Sequence, residues 1–288
     1  MKTFEYWLAR FVLATLSATS LATANRLARM YVRILDVAIP RLRRTALKNL
    51  EMAGIAGRER ITTGVFDSVA RLVVSFARFP KITRETVPQW IGYEGLENFT
   101  AAHSRGKGVL VATAHLGNWE LSAFAHAYLV GPMHIVVRPI DNLRIDALVE
   151  RYRTLSGNHV IAKKDAARGI LRALAKGDAV GILVDQNTTP EQGVFVDFFG
   201  VKACAGSAFV KLAQHSGAAV VPGYALWSEK TGRYVLHFEP EVEMTGDVVE
   251  DTQRVHARLE AAIRQHPDQW LWIHRRWKTR PPGEPPLY

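Results

Sequence analysis

Along the chain the spacing of apolar positions changes character once, near residue 90. Before that point it follows a helical period. From Phe11 through "NRLARMYVRILDVAIP" apolar residues stay on one face and arginines on the other, which predicts one long amphipathic helix ending at Pro40. "RLRRTALKNLEMAG" (41–54) reads as a second helix closed by Gly54, and "RERITTGVFDSVARLVVSFARF" (58–79) as a third. Pro80 and Pro88 bracket a connector. Beyond it, short aliphatic runs alternate with helical patterns. Strands are predicted at 108–114, 134–138, 159–162, 179–185, 218–226 and 233–240, and helices at 118–129, 142–156, 166–177, 206–217 and 249–265. This alternation predicts an α/β fold, with a mixed central sheet flanked by helices. Residues 1–57 then form an N-terminal helical segment and residues 58–288 the α/β domain.

In such sheets chemistry gathers at the carboxyl ends of strands. "GVLVATA" (108–114) runs directly into His115, and Glu120 follows in the first turn of the next helix. Neutral imidazole takes a proton near pH 7 when one nitrogen is free and a carboxylate holds the other. Glu120, folding back across the turn allowed by Gly117, is the expected partner. A plainer reading is that Glu120 serves the helix N-terminus. Asp185, at the end of "AVGILVD", stands in a similar position, either orienting a loop or acceptor or acting as a cap. Ser207 lacks the glycine setting of a nucleophile elbow, and "RGKG" (105–108) is not a phosphate loop. No histidine pair has metal-ligand spacing, so no metal and no bound cofactor are expected.

Charge adds a partner. The net charge is +10, and seven Lys/Arg (Arg26, Arg29, Arg33, Arg41, Arg43, Arg44, Lys48) face a single acid, Asp36, within 26–48. Arg275, Arg276, Lys278 and Arg280 form a second cluster. Such a balance suits an anionic leaflet, a phosphorylated substrate or an acidic carrier protein, and by charge alone a nucleic acid. "FVLATLSATSLATA" (11–24) is uncharged but holds three Thr and two Ser, too short and too polar for a spanning helix. It has the outline of a signal-peptide core, yet its periodicity continues unbroken into the basic stretch. The expectation is therefore an uncleaved helix lying on the membrane, with a helix packed on the domain as the alternative. A single cysteine, Cys204, rules out an internal disulfide framework and fits a reducing compartment.

"HLGNWE" (115–120) matches the His-x4-Asp/Glu motif of glycerolipid acyltransferases, and four further stretches resemble one branch of them, the lipid A biosynthesis acyltransferases of lauroyl/myristoyl type. These are "RRTALKNL" (43–50), "VVRPIDNLRIDALVERYRTLSG" (136–157), the block 180–222 with "DQ" and "VFVDFFG", and "PDQWLWIHRRWKTRP" (267–281). The mycobacterial phosphatidylinositol mannoside acyltransferases resemble it as cousins. The resemblance implies a glycerolipid acyltransferase-like fold. It also implies transfer of an acyl chain from an acyl carrier protein or coenzyme A thioester to a glycolipid hydroxyl at the cytoplasmic face of the bacterial inner membrane, without nucleic acid. His115, Glu120 and Arg153 would be catalytic. Arg138, Arg151, Asn118, Asp185 and Phe198 would bind substrate, Arg138 and Arg151 by clamping phosphates and Phe198 within a greasy groove. "WLWIHRRW" (270–277) would anchor at a membrane interface. One departure is Glu120, where wider acyltransferases have Asp.

Overall fold

A computed structural model describes residues 2–162 and 166–288. The helical first third is built from α1 (Lys2–Ala18), α2 (Leu21–Ala38), α3 (Pro40–Met52) and α4 (Arg58–Arg78). The single long helix expected up to Pro40 is two. The hydroxyls of Thr15 and Thr19 turn back onto the carbonyls of Val12 and Thr15, and extended Ser20 accepts a hydrogen bond from Thr23 N. The hydroxyl-rich stretch thus ends one helix and caps the next. Leu16, Ala24, Ala28 and Val32 bury against Phe66, Ala70, Val74 and Ala77 of α4. Among the described residues no helix is long and apolar enough to cross a membrane.

The rest is an α/β fold with a mostly parallel central sheet flanked by helices. Its elements are β1 (Ile91–Glu94), α5 (Leu96–His103), β2 (Val109–Thr113), α6 (Trp119–Leu129), β3 (His134–Val137), α7 (Leu143–Thr154), β4 (His159–Ala162), α8 (Ala166–Leu174), β5 (Ala179–Leu183), β6 (Gly193–Phe198), β7 (Val201–Gly206), α9 (Ala208–Ser216), β8 (Ala219–Ser228), β9 (Arg233–Phe238) and α10 (Val248–Gln265). Seven strands run in the order β1-β9-β8-β2-β5-β3-β4, with only the β8–β9 pair antiparallel, and β6–β7 form a separate hairpin. β2 is central, between β8 and β5, and its register sets Thr113 opposite Leu183. His115 and Asp185, each two residues further on, therefore leave neighbouring strands side by side.

Alternation along the strands divides the core in two. Leu110 and Ala112 of β2 face a core that includes Phe198, Trp270, Trp272 and Trp277. Val109 and Val111 face the other, with Leu121 and Phe124 of α6. The expectation that "WLWIHRRW" lies at a membrane interface is corrected: Trp272 and Trp277 are 0% exposed, and so is Arg276. The segment crosses the sheet face and is tied to α3 by Asn49, whose amide donates to the carbonyls of Trp272 and His274 at 2.6 and 2.7 Å. Three indoles bury more apolar area against the sheet than a surface site offers. An Asn49→Ala variant leaves both carbonyls without their donor. It should lose about 1–3 kcal/mol of stability, seen as a lower thermal midpoint, and an unchanged midpoint would show that this tie does not hold α3.

Candidate active site

The site begins where β2 runs out. The chain after His115 turns through Gly117, at φ +64°, where an added Cβ would lie 2.0 Å from the Ala225 carbonyl oxygen. No other residue allows this approach. Gly117 N donates to Gln269 O and Asn118 N to Ala225 O, while Leu271 N donates to His115 O. The turn is thus clamped between β8 and the C-terminal segment, and His115 is held at its backbone on both sides.

The carboxylate that holds the imidazole is Asp185. Its Oδ1 lies 2.9 Å from His115 Nδ1, and its Oδ2 accepts from His115 N at 2.9 Å and from Trp270 Nε1 at 2.8 Å. Glu120, expected in that place, is engaged elsewhere: Arg153 Nε donates to Glu120 Oε2 at 2.9 Å, and Arg153 Nη2 donates to Oε1. The physical reason is direction. Asp185 ends the neighbouring strand in register with His115, whereas Glu120 sits in the first turn of α6, and α7 lies alongside with Arg153 near its end. With Nδ1–H donated to Asp185, His115 Nε2 keeps its lone pair. Gln186 Nε2 stands 3.4 Å from it, and Trp119 packs edge-on against the ring at 4.9 Å between centroids.

Electrostatics follow from these contacts. Burial by itself would lower the His115 pKa, but the Asp185 charge and hydrogen bond outweigh it and carry it above its ordinary 6.5. Burial would raise Asp185, yet His115 and Trp270 hold it well below the usual carboxylate range. Burial opposes the charge of Arg153 and Glu120 restores it, so Arg153 ends above its ordinary value.

Trp119, Glu120 and Arg153 also stand on the wall of an apolar pocket of about 520 Å³, measured with its open mouth. Its floor is one sheet face: Val111 and Thr113 of β2, Gly181 and Leu183 of β5, and Ile135 and Val137 of β3. Ser122 and Ala123 of α6 cover it, and Met133 is also part of the wall.

The remaining expected residues separate. Arg138 and Arg151 are exposed and make no ion pair among the described residues. Asn118 is corrected from a substrate contact to a structural cap. It is 0% exposed, its Oδ1 accepts from Leu121 N at 3.0 Å, and its Nδ2 donates to Ser75 Oγ at 2.7 Å. Phe198 is likewise corrected. It lies in the tryptophan-lined core across the sheet, against Phe199, Trp270 and Arg276, and not in the pocket. Trp270 as a donor to Asp185, and Gly181 and Met133 as pocket residues, were not anticipated. A glycine inside an aliphatic strand was the one available signal.

Comparison with known proteins identifies the family of this chain. The family model described as bacterial lipid A biosynthesis acyltransferase matches residues 1–279, and the chain belongs to that family. It is an acyltransferase. It is 32% identical over 99% of its length to a lipid A biosynthesis palmitoleoyltransferase of Escherichia coli, covering 95% of that protein. A lipid A biosynthesis lauroyltransferase of the same organism is 31% identical over 70% of this chain and 66% of its own length. A phosphatidylinositol mannoside acyltransferase of Mycobacterium tuberculosis is 28% identical over 64% and 58% respectively.

The pair of carboxylates makes a pH test decisive. A base must be neutral to work, so with His115 in that role acyl transfer is expected to fall as pH drops through its pKa. Asp185 is what raises that pKa. Asp185→Asn should therefore move the acid limb of kcat/KM to lower pH and reduce the plateau by about 10²–10⁴. Glu120→Gln should move the limb less. The opposite order in the two pH profiles would return Glu120 to the imidazole.

Proposed function

We propose that this enzyme transfers a fatty acyl chain from a thioester, with acyl carrier protein as donor, to a hydroxyl of a lipid A precursor or related glycolipid. The observation that carries the reading is His115, its Nδ1 on Asp185 and its Nε2 turned away from that carboxylate with only the Gln186 amide 3.4 Å off, adjoining an apolar pocket walled by Glu120 and Arg153. The acceptor O–H gives its proton to Nε2 as the oxygen attacks the thioester carbon. The tetrahedral intermediate carries the negative charge on the former carbonyl oxygen. Arg153, fixed by Glu120, supplies the N–H donor for that oxygen. Collapse breaks the C–S bond, and the imidazolium proton passes to the leaving thiolate, so the base is regenerated. Glu120 thus acts as the positioning residue for Arg153, and Asp185 as that for His115.

The unpaired Arg138 and Arg151 are offered to phosphate groups of the acceptor or to the acidic carrier. The chain docks on an anionic leaflet, the cytoplasmic face of the inner membrane, through α1 and α2. Phe4, Trp7, Leu8 and Phe11 of α1 and Met30, Ile34 and Val37 of α2 are exposed. Leu143 is exposed as well, close to α1 because the neighbouring Asn142 donates to Lys2 O. Arg26, Arg29 and Arg33 form no ion pair among the described residues. An apolar face bordered by arginines lies in an interface without spanning it.

Purified protein in detergent, offered carrier-protein and coenzyme A thioesters with a lipid A precursor and a lysophospholipid, tests this. Transfer to the glycolipid, reduced about 10²–10⁴-fold in His115→Ala, is expected. Equal transfer by both proteins would sink the mechanism, and preference for the lysophospholipid would replace the acceptor.

A further inference from the structure

The pocket floor is ordered in rows across three strands. The register places Thr113 beside Leu183 near the strand ends. One step deeper it places Val111 beside Gly181, and Gly181 beside Ile135. The inner row therefore reads Val-Gly-Ile, with its middle side chain missing. A Cβ built on Gly181 would meet only one near side-chain atom, the Met133 methyl at 3.0 Å, and the His134 carbonyl oxygen at 3.9 Å. Met133 itself is 5% exposed and immediately precedes β3. The slot thus passes over the outer row and reaches Gly181, where the missing side chain leaves room that the Met133 methyl fills and closes.

We propose that Gly181 and Met133 set the length of the acyl chain this enzyme transfers. Gly181 keeps the inner row open, and Met133 closes it. The inference rests on the acyl-transfer reading above. Aliphatic β-branched residues suit a strand centre, and glycine weakens it. A strand otherwise written "AVGIL" therefore carries a residue that its own stability disfavours, at the one place on the floor where the pocket needs depth. Methionine suits the closing position, since its unbranched side chain fills an irregular gap.

The size of the effect follows from geometry. Successive rows are two residues apart, about 6.6 Å along the strand. An extended chain advances about 1.2 Å per bond, taking about 3.6 Å for the three bonds of a residue. One row therefore corresponds to about five methylenes. Each methylene excluded from an apolar slot is worth about fourfold.

The test is a competition among saturated acyl thioesters of graded length, with products resolved by mass. Wild type, Gly181→Val, Met133→Ala and His115→Ala are compared, with thermal midpoints recorded. Gly181→Val should shorten the preferred chain by about five carbons and cut selectivity for the original chain at least tenfold. Met133→Ala should shift the preference to longer chains. Loss of packing alone would lower all products together without moving their ratio. An unchanged distribution in both variants, or shifts in the same direction, overturns the proposal while leaving acyl transfer standing. If Gly181→Val does not fold, Met133→Ala decides alone. If wild type transfers no chain, or His115→Ala transfers as well as wild type, the acyl-transfer reading fails and the gauge falls with it.

Discussion

The site depends on a single buried anion. Asp185 is 2% exposed, and a carboxylate at that depth would take up a proton unless donors held its charge. Three do: the His115 amide, the His115 ring and the Trp270 indole. They come from positions 70 residues before and 85 residues after it. Only the adjacency of β2 and β5, together with the return of the C-terminal segment across the sheet, brings them to one point. The same contacts that keep Asp185 ionised fix the imidazole tautomer. Stability of the Asp185 charge and orientation of the His115 ring are one arrangement.

Arg276 belongs to the same electrostatic account. It is fully buried, donates to the Cys204 carbonyl at 2.7 Å and lies over the Phe198 ring at 5.2 Å. Burial pulls its pKa down to about 10, and the negative charge of Asp185 acts against that pull. A lone cation in an apolar core would be very costly, and one with an anion nearby is less so. This accounts for why a segment as basic as "HRRW" turns inward. Its tryptophans fill the core, Arg276 is held there by the Cys204 carbonyl and the Phe198 ring, and Arg275 and Lys278 stay exposed.

Where periodicity is strong, the sequence was legible. The runs "VLVAT" and "AVGIL", and the helix opening at Trp119, lie within the predicted spans because each element carries its own pattern. His115 and Asp185 stood out for the same reason, each directly after an aliphatic strand. What could not be read was pairing. Proximity in sequence favoured Glu120 for the imidazole, but the sheet register, a property of two distant strands, gave that place to Asp185 and left Glu120 for Arg153. The break at Ser20 was hidden because its hydroxyls fit equally well in a continuous polar face. "WLWIHRRW" was ambiguous by composition. Aromatic and basic residues together describe an interface and equally a buried cluster with one buried cation, and only the packing partners distinguish the two.

His115 and the pocket are coupled through alternation along β2. Val111 and Thr113 share one face and contribute to the slot, while Leu110 and Ala112 face the tryptophan core. A slip of one residue against β5 would turn the leucine into the slot and break the match between His115 and Asp185 at once. Pinning this register therefore keeps the His115–Asp185 pair and the pocket floor in one arrangement. The chain meets it by fixing the end of β2 twice, at Gly117 against Ala225 and at His115 against Leu271. The C-terminal segment, which also supplies Trp270, thus holds the strand in the one alignment in which His115 meets Asp185 and the pocket floor keeps its apolar face.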